Sequence, residues 1–189
     1  MERDGLGAQR FFFALWPDDK VRDGLGAAAR RMHRALHGRR TRDENLHLTL
    51  AFLGEVDIED LERLRAPPPS LAAGAFTLTL DRWDCWPRNR IGWAGPSVTP
   101  PALQRLAANL VDWLQALGFE LEKRRFAPHV TLVRDAQHAA MPGVPQPVRW
   151  HVEDFVLVRS QRLPRGSQYE IVARWPLDGG VKAVTACLP

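Results

Sequence analysis

The sequence predicts an α+β protein built as two similar lobes of antiparallel sheet with helices on the outside. Three observations lead there. Segments of helical period and segments of strand period interleave along the whole chain. The strand-like segments often neighbour one another as hairpins do, which disfavours a parallel doubly wound sheet. One four-residue phrase, His47-Leu48-Thr49-Leu50, returns as His129-Val130-Thr131-Leu132, and a basic cluster precedes each copy. Those clusters are Arg39, Arg40 and Arg42, then Lys123, Arg124 and Arg125.

Taken in order, Arg10 to Trp16 is a strand of aromatic and aliphatic residues, stopped by Pro17-Asp18, and Asp18 caps the helix that follows. Val21, Leu25, Ala28, Ala29 and Met32 recur at helical spacing, so a helix runs from Asp19 to about Leu36. Gly38 to Glu44 is a polar connection. Leu46 to Leu53 alternates as a strand that ends at Gly54, and Asp57 to Leu64 is a short helix closed by Pro67-Pro68-Pro69. Phe76–Leu80 and Arg90–Trp93 form a pair of strands around a turn near Pro87. Pro100 to Leu117 is the clearest helix, with Leu103, Leu106, Leu110, Trp113, Leu114 and Leu117 on one side and Gly118 past its end. His129–Val133 is the second motif strand. A Pro-rich loop, Met141–Pro147, precedes strands at Val148–Arg159 and Gln168–Trp175.

The chain of 189 residues is expected to form one domain, covering residues 1–189, with an internal duplication. Its opening residues are polar with both charge signs, and the apolar run Phe11–Trp16 is far too short to span a bilayer, so neither a secretory signal nor a membrane partner is expected. Cys85 and Cys187 are widely separated and support neither a disulfide framework nor a zinc site. A protein of the reducing cytoplasm, and a monomer, is the expectation. The net charge of +4 suits an anionic partner weakly, because arginine outnumbers lysine 23 to 3, a skew that base composition alone produces.

Strand periodicity then places the chemistry. In the first copy Leu46, Leu48, Leu50 and Phe52 point to one face and His47, Thr49 and Ala51 to the other; in the second, Val130 and Leu132 turn inward while His129 and Thr131 turn outward. Two residues along a strand span roughly 6.6 Å, so an imidazole and a hydroxyl can bracket one tetrahedral group. With 6 His and 7 Thr, chance supplies roughly 0.2 His-x-Thr matches, so two with apolar partners point to two half-sites rather than two solvated polar pairs.

Neither copy offers a second His, Cys or carboxylate at metal-ligand spacing, so no metal and no cofactor is expected. No serine or cysteine sits in a recognisable nucleophile elbow. Two histidines suit in-line displacement at phosphorus, one neutral imidazole taking a proton from water and one imidazolium protonating the departing alkoxide. Threonine hydroxyls and a guanidinium, for which Arg134 just past the second strand is the candidate, would hold the phosphoryl oxygens.

The run Glu44-Asn45-Leu46-His47-Leu48-Thr49-Leu50-Ala51-Phe52-Leu53-Gly54-Glu55-Val56, the opening Arg10–Leu15, and Phe126-Ala-Pro-His129-Val-Thr131-Leu-Val-Arg134 resemble the two-histidine (2H) phosphoesterases. More narrowly they resemble the LigT/ThpR branch, the RNA 2′,3′-cyclic phosphodiesterases formerly called 2′-5′ RNA ligases. Leu157–Leu163 with Gly166 and Tyr169 is similar to that branch's last shared stretch, so the likeness runs from about Arg10 to Trp175.

The resemblance implies a bilobal fold, two antiparallel sheets with pseudo-twofold symmetry around a central cleft and one His-x-Thr strand per lobe. It implies metal-independent opening of a terminal RNA 2′,3′-cyclic phosphate to a 2′-phosphate, with 2′-5′ ligation as the possible reverse. His47 would then donate the proton to the leaving 3′-oxygen, His129 would activate water, and Thr49, Thr131 and Arg134 would bind phosphate. The substrate partner would be an RNA or oligonucleotide with a cyclic phosphate end. Two other readings stay open: a phosphodiesterase for a small cyclic nucleotide, and a nucleotide-binding module of the same fold without turnover. Phe11, Phe13, Trp86 and Tyr169 are candidate base-stacking residues.

Overall fold

The computed structural model describes residues 9–65, 74–122, 125–137, 141–163 and 166–177, with only the backbone described at 58–59 and 162–163. Strand β1 (Gln9–Leu15) leads into helix α1 (Asp19–Leu36), a two-residue strand β2 (Arg39–Arg40) and a 3-10 turn at Asp43–Asn45. Strand β3 (Leu48–Val56), helix α2 (Ile58–Arg65) and strands β4 (Phe76–Leu80), β5 (Arg82–Trp86) and β6 (Ile91–Gly95) follow. Helix α3 (Pro101–Ala116) precedes β7 (Val130–Arg134), β8 (Val148–Val152), β9 (Asp154–Leu163) and β10 (Gly166–Pro176).

The α+β class is borne out, with antiparallel pairing in both sheets. Among the described residues the larger has eight strands, in the order β10-β9-β1-β3-β7-β6-β5 with β2 added against β7; the smaller joins β4 to β8. The sheets do not take one motif each. Both His-x-Thr strands lie in the larger sheet, side by side, registered at Leu48–Val130.

Each helix forms where its cap and its apolar face agree. The Asp18 carboxylate accepts from the Val21 amide at 2.7 Å, satisfying one of the free N–H groups at the start of α1. Val21, Leu25, Ala28, Ala29, Met32 and Leu36 are buried along one side of that helix, which packs against β7 and β8. Helix α3 opens on proline, where a missing N–H costs nothing, and buries Leu103, Leu106, Leu110 and Leu114, with contacts to β3. Each fully buried leucine contributes about 1.5–3 kcal/mol relative to exposure. Among the described residues no helix is long and apolar enough to cross a membrane.

Four expectations need correction. Phe76–Leu80 does not pair with Ile91–Gly95: β4 pairs with β8, and the hairpin around the turn near Pro87 is made by β6 with β5, which the sequence reading passed over. Its Arg82-Trp-Asp-Cys-Trp86 run lacks the aliphatic alternation that marked the other strands. The single strand expected from Val148 to Arg159 is two, in different sheets, because the chain changes sheets at Glu153. The connection from Gly38 to Glu44 contains β2. Strand β3 does not stop at Gly54 either. It runs on to Val56 through two irregularities against β1, with Gly54 at φ 75, a conformation that glycine adopts without strain.

Those bulges also change which side chains share a face. Thr49 pairs with Ala14 and Ala51 with Phe13, so Leu50 is the extra residue and the alternation shifts by one beyond it. Ala51 and Leu53 therefore join the main core, and Phe52 turns to the face that carries Thr49, the reverse of the sequence expectation. Strand β1 is buried on both sides: Phe11, Phe13 and Leu15 belong to the main core, whereas Phe12 and Ala14 form a second cluster with Val156 and Val158.

Candidate active site

The site grows from the seam where β3 meets β7. Leu48 and Val130 are fully buried partners, so the residues on either side of each point to the opposite face of the sheet. Antiparallel order directs the residue before one partner toward the residue after the other. His47 is thereby brought toward Thr131, and His129 toward Thr49. Each histidine faces the threonine of the other motif, and all four line one cleft of about 1420 Å³.

The two imidazoles are held alike. His47 Nδ1 lies 2.7 Å from the Asn45 carbonyl oxygen, and His129 Nδ1 lies 2.7 Å from that of Ala127. A carbonyl only accepts, so Nδ1 carries the proton and donates in both rings. Nε2 is left as the working atom: a base when the ring is neutral and an acid when it is charged. The carbonyl belongs in each case to the residue two before the histidine, where the backbone approaches the strand. Backbone acceptors have no residue-type signature, so sequence reasoning missed both.

Aromatic rings fix the orientations further. Trp16 stacks on His47 at 5.5 Å with 9° between planes, Phe12 lies at 4.8 Å, and Tyr169 presents its edge at 5.2 Å. On the other side Trp86 meets His129 edge to face at 4.5 Å and Trp93 stands at 6.4 Å. Enclosure among these rings has an electrostatic consequence. The pKa of His47 falls from 6.5 to about 4, chiefly because burial disfavours the charged ring. The hydrogen bond to Asn45 opposes that fall, while the charges of Arg134 and His129 add to it. His47 is therefore neutral at neutral pH.

Arg134 ends β7 with its side chain exposed, lining the cleft and an adjoining cavity of about 460 Å³. Its backbone is pinned by β2, since Arg39 pairs with Arg134. That close approach requires Gly38, which has φ 80 and whose missing Cβ would lie 2.5 Å from the carbonyl oxygens of Arg134 and Asp135.

The five residues singled out from the sequence (His47, His129, Thr49, Thr131 and Arg134) therefore line one cleft. Of the four stacking candidates, Trp86 and Tyr169 reach the site, but Phe11 and Phe13 do not: they are 2% and 0% exposed, on the core side of β1. The even-numbered residues Phe12 and Trp16 take that place, a signal present in the strand's alternation. Of the second basic cluster only Arg125 lies within the described residues, and it lines the cleft; Lys123 and Arg124 lie outside them. Arg39, Arg40 and Arg42 line the adjoining cavity, and each meets a carboxylate: Asp135 at 3.4 Å, Asp43, and Glu44 at 3.9 Å.

Among the described residues no group of three His, Cys, Asp or Glu side chains is placed to hold a metal ion. Cys85 is partly buried and, by burial first and the neighbouring Asp84 second, kept toward the neutral thiol; Cys187 lies outside the described residues.

Comparison with known proteins agrees with this geometry. A family model described as LigT like Phosphoesterase matches residues 15–93 and 95–169, one stretch around each histidine. The RNA 2′,3′-cyclic phosphodiesterase of Escherichia coli (strain K12) is 36% identical over 178 residues, which cover 89% of this chain and 97% of that protein. The protein of the same name from Thermus thermophilus is 31% identical, with 90% of this chain and 91% of that protein covered. The crystal structure of E. coli LigT complexed with 3′-AMP superposes with a TM-score of 0.83 at 34% identity, covering 90% of this chain and 99% of that one. The duplicated His-x-Thr, the paired strands that carry it and the matches over both halves lead to one conclusion: this chain belongs to the LigT-like phosphoesterase family.

Proposed function

We propose that this protein is an RNA 2′,3′-cyclic phosphodiesterase that opens terminal cyclic phosphates to 2′-phosphates by acid–base catalysis between two histidines. The observation that carries the reading is the pair of imidazoles, each anchored through Nδ1 to a backbone carbonyl, beside two threonines and an arginine in one cleft. Relatives of 36% and 31% identity bear that activity in their names, which supports the substrate class.

In this reading the cyclic phosphoryl group sits between Thr49 and Thr131, whose hydroxyls donate to its oxygens, and Arg134 offsets the charge that grows on them. His129 Nε2 takes a proton from water as the water oxygen attacks phosphorus. The bond from phosphorus to the 3′-oxygen breaks, and His47 Nε2–H supplies that oxygen with its proton. The product carries a 2′-phosphate and a 3′-hydroxyl. His47 is neutral at neutral pH, so its role as donor belongs to the complex: its Nε2 takes up a proton from solvent as substrate binds, where the phosphoryl anion counters Arg134 and favours the imidazolium. In this reading each half of the chain supplies one histidine and one threonine.

The test is phosphorus NMR of a defined dinucleotide ending in 2′,3′-cyclic phosphate after incubation with the enzyme. A 2′-phosphate is expected. A 3′-phosphate would turn the bound ribose around and exchange the leaving oxygen, and absence of turnover would refute the enzymatic reading.

A further inference from the structure

The cleft and the cavity beside it share His47, Thr49, Thr131 and Arg134, but their remaining walls differ in charge. The cleft includes Asp112 and Glu122. Among the described residues the adjoining cavity is lined by no carboxylate and by five guanidinium groups, from Arg10, Arg39, Arg40, Arg42 and Arg134. Three of these are already paired, as described above. Arg134 serves the reacting phosphate. Arg10 remains.

Arg10 lies near the start of β1, directly opposite Ser160 of β9, which in turn is opposite Tyr169 of β10. Directly paired residues share a face, so Arg10, Ser160 and Tyr169 form one row across the sheet. The next row holds Phe12 and Phe52, and the one beyond it Ala14 and Thr49. The guanidinium of Arg10 is steadied over the Phe52 ring at 5.0 Å. Among the described residues it has no carboxylate partner, although the exposed Glu55 is its neighbour across the strand pair. From the Ala14–Thr49 row to Arg10 is four residues along β1, roughly 13 Å. The backbone of Arg10 is thus set well back from a phosphate seated at the threonines.

We propose that Arg10, with Ser160 beside it, binds a second phosphate group of the substrate, so that the site selects a chain end over a lone cyclic mononucleotide. The inference rests on the cyclic phosphodiesterase reading above and names what that site prefers. A nucleoside 2′,3′-cyclic phosphate has one anionic group; an oligonucleotide end adds the phosphodiester that precedes its terminal nucleoside. An unpaired guanidinium in a polar cavity gains a charge-assisted hydrogen bond from that group and nothing from the smaller substrate. A 5′-phosphate on the mononucleotide presents the same chemistry, and the experiment separates the two.

Three substrates are compared: a nucleoside 2′,3′-cyclic phosphate, the same compound with a 5′-phosphate, and a dinucleotide with a cyclic phosphate end. In Arg10→Gln the ratio of kcat/KM for the dinucleotide to that for the plain mononucleotide should fall about tenfold to a hundredfold, the worth of one hydrogen bond between charged groups. A fall confined to the 5′-phosphorylated mononucleotide would overturn the oligonucleotide assignment. An unchanged ratio, or an equal loss on all three substrates, would make Arg10 a structural prop for Phe52 and overturn the proposal. The wild-type enzyme gives a measurement that needs no variant: log kcat/KM should fall with log salt more steeply for the dinucleotide, by about 0.7 for the additional phosphate. Equal slopes would overturn it too. Failure of the wild type to turn over any of the three would instead remove the underlying reading.

Discussion

The depressed pKa of His47 ties the active site to the stability of the whole fold, and acidification exposes the link. The ring titrates at 6.5 in the unfolded chain and at about 4 in the folded one. Between those values the unfolded chain binds a proton that the folded chain refuses, so unfolding gains as pH falls. The sign is fixed: the stability associated with neutral His47 is fully present above 6.5 and is lost progressively as pH drops toward 4. Each pH unit is worth about 1.4 kcal/mol, and the whole window about 3 kcal/mol. Urea denaturation of wild type and His47→Gln at about pH 7 and again at about pH 4.5 isolates the effect, because every other titrating group is common to both proteins. The wild type should lose about 2–3 kcal/mol more than the variant over that interval. Proton NMR of the ring should place its midpoint near 4, and inorganic phosphate should move it upward. Parallel losses in the two proteins, together with a midpoint near 6.5, would refute the argument that the aromatic enclosure desolvates this ring.

Two further outcomes concern the reaction. His47→Ala and His129→Ala should each lower kcat by about 10²–10⁴-fold, while the double variant should fall far short of the product of the two losses because the imidazoles act as a unit. A single variant with near-wild-type turnover would remove that histidine from the mechanism. Hydrolysis should persist in excess chelator, since no step above calls on a Lewis acid; loss on chelation with rescue by one divalent ion would require a different mechanism.

The elements that carry the histidines were legible because their signals are local. Asp18 as a cap, the leucine face of α3 and the alternation of Leu48 against His47 and Thr49 each depend on residues a turn or a strand apart. What was not legible depends on pairing across the chain. Nothing between Asp81 and Trp86 announces that β5, rather than β4, is the partner of β6. The assignment of Phe52 to the core failed on the bulge at Leu50, which exists because β3 must stay paired with β1 while changing its register. The same bulge gives Arg10 its support. Trp16 illustrates a middle case: its place on the face of Phe12 and Ala14 was implicit in alternation, but its stacking on His47 depends on where β3 enters the sheet.

The seam at Leu48–Val130 has a consequence for how such a site can be divided. Neither half of the chain contains the whole cleft constellation, because each histidine is placed toward the threonine contributed by the other half. The arrangement is that of an isologous contact, in which residue i of one unit meets residue j of the other and the reverse holds as well, closed within a single polypeptide. Two separate copies of one half could satisfy the same pairing only by docking edge to edge through this strand. Covalent continuity between them makes that encounter intramolecular, so the two imidazoles are held at an effective concentration that free halves in dilute solution would not reach. The surroundings of the two imidazoles differ: one is enclosed by Trp16, Phe12 and Tyr169, the other flanked by Trp86 and Trp93. A symmetric pair would leave acid and base interchangeable; under the proposed mechanism, unequal surroundings are what would give two identical residues different tasks.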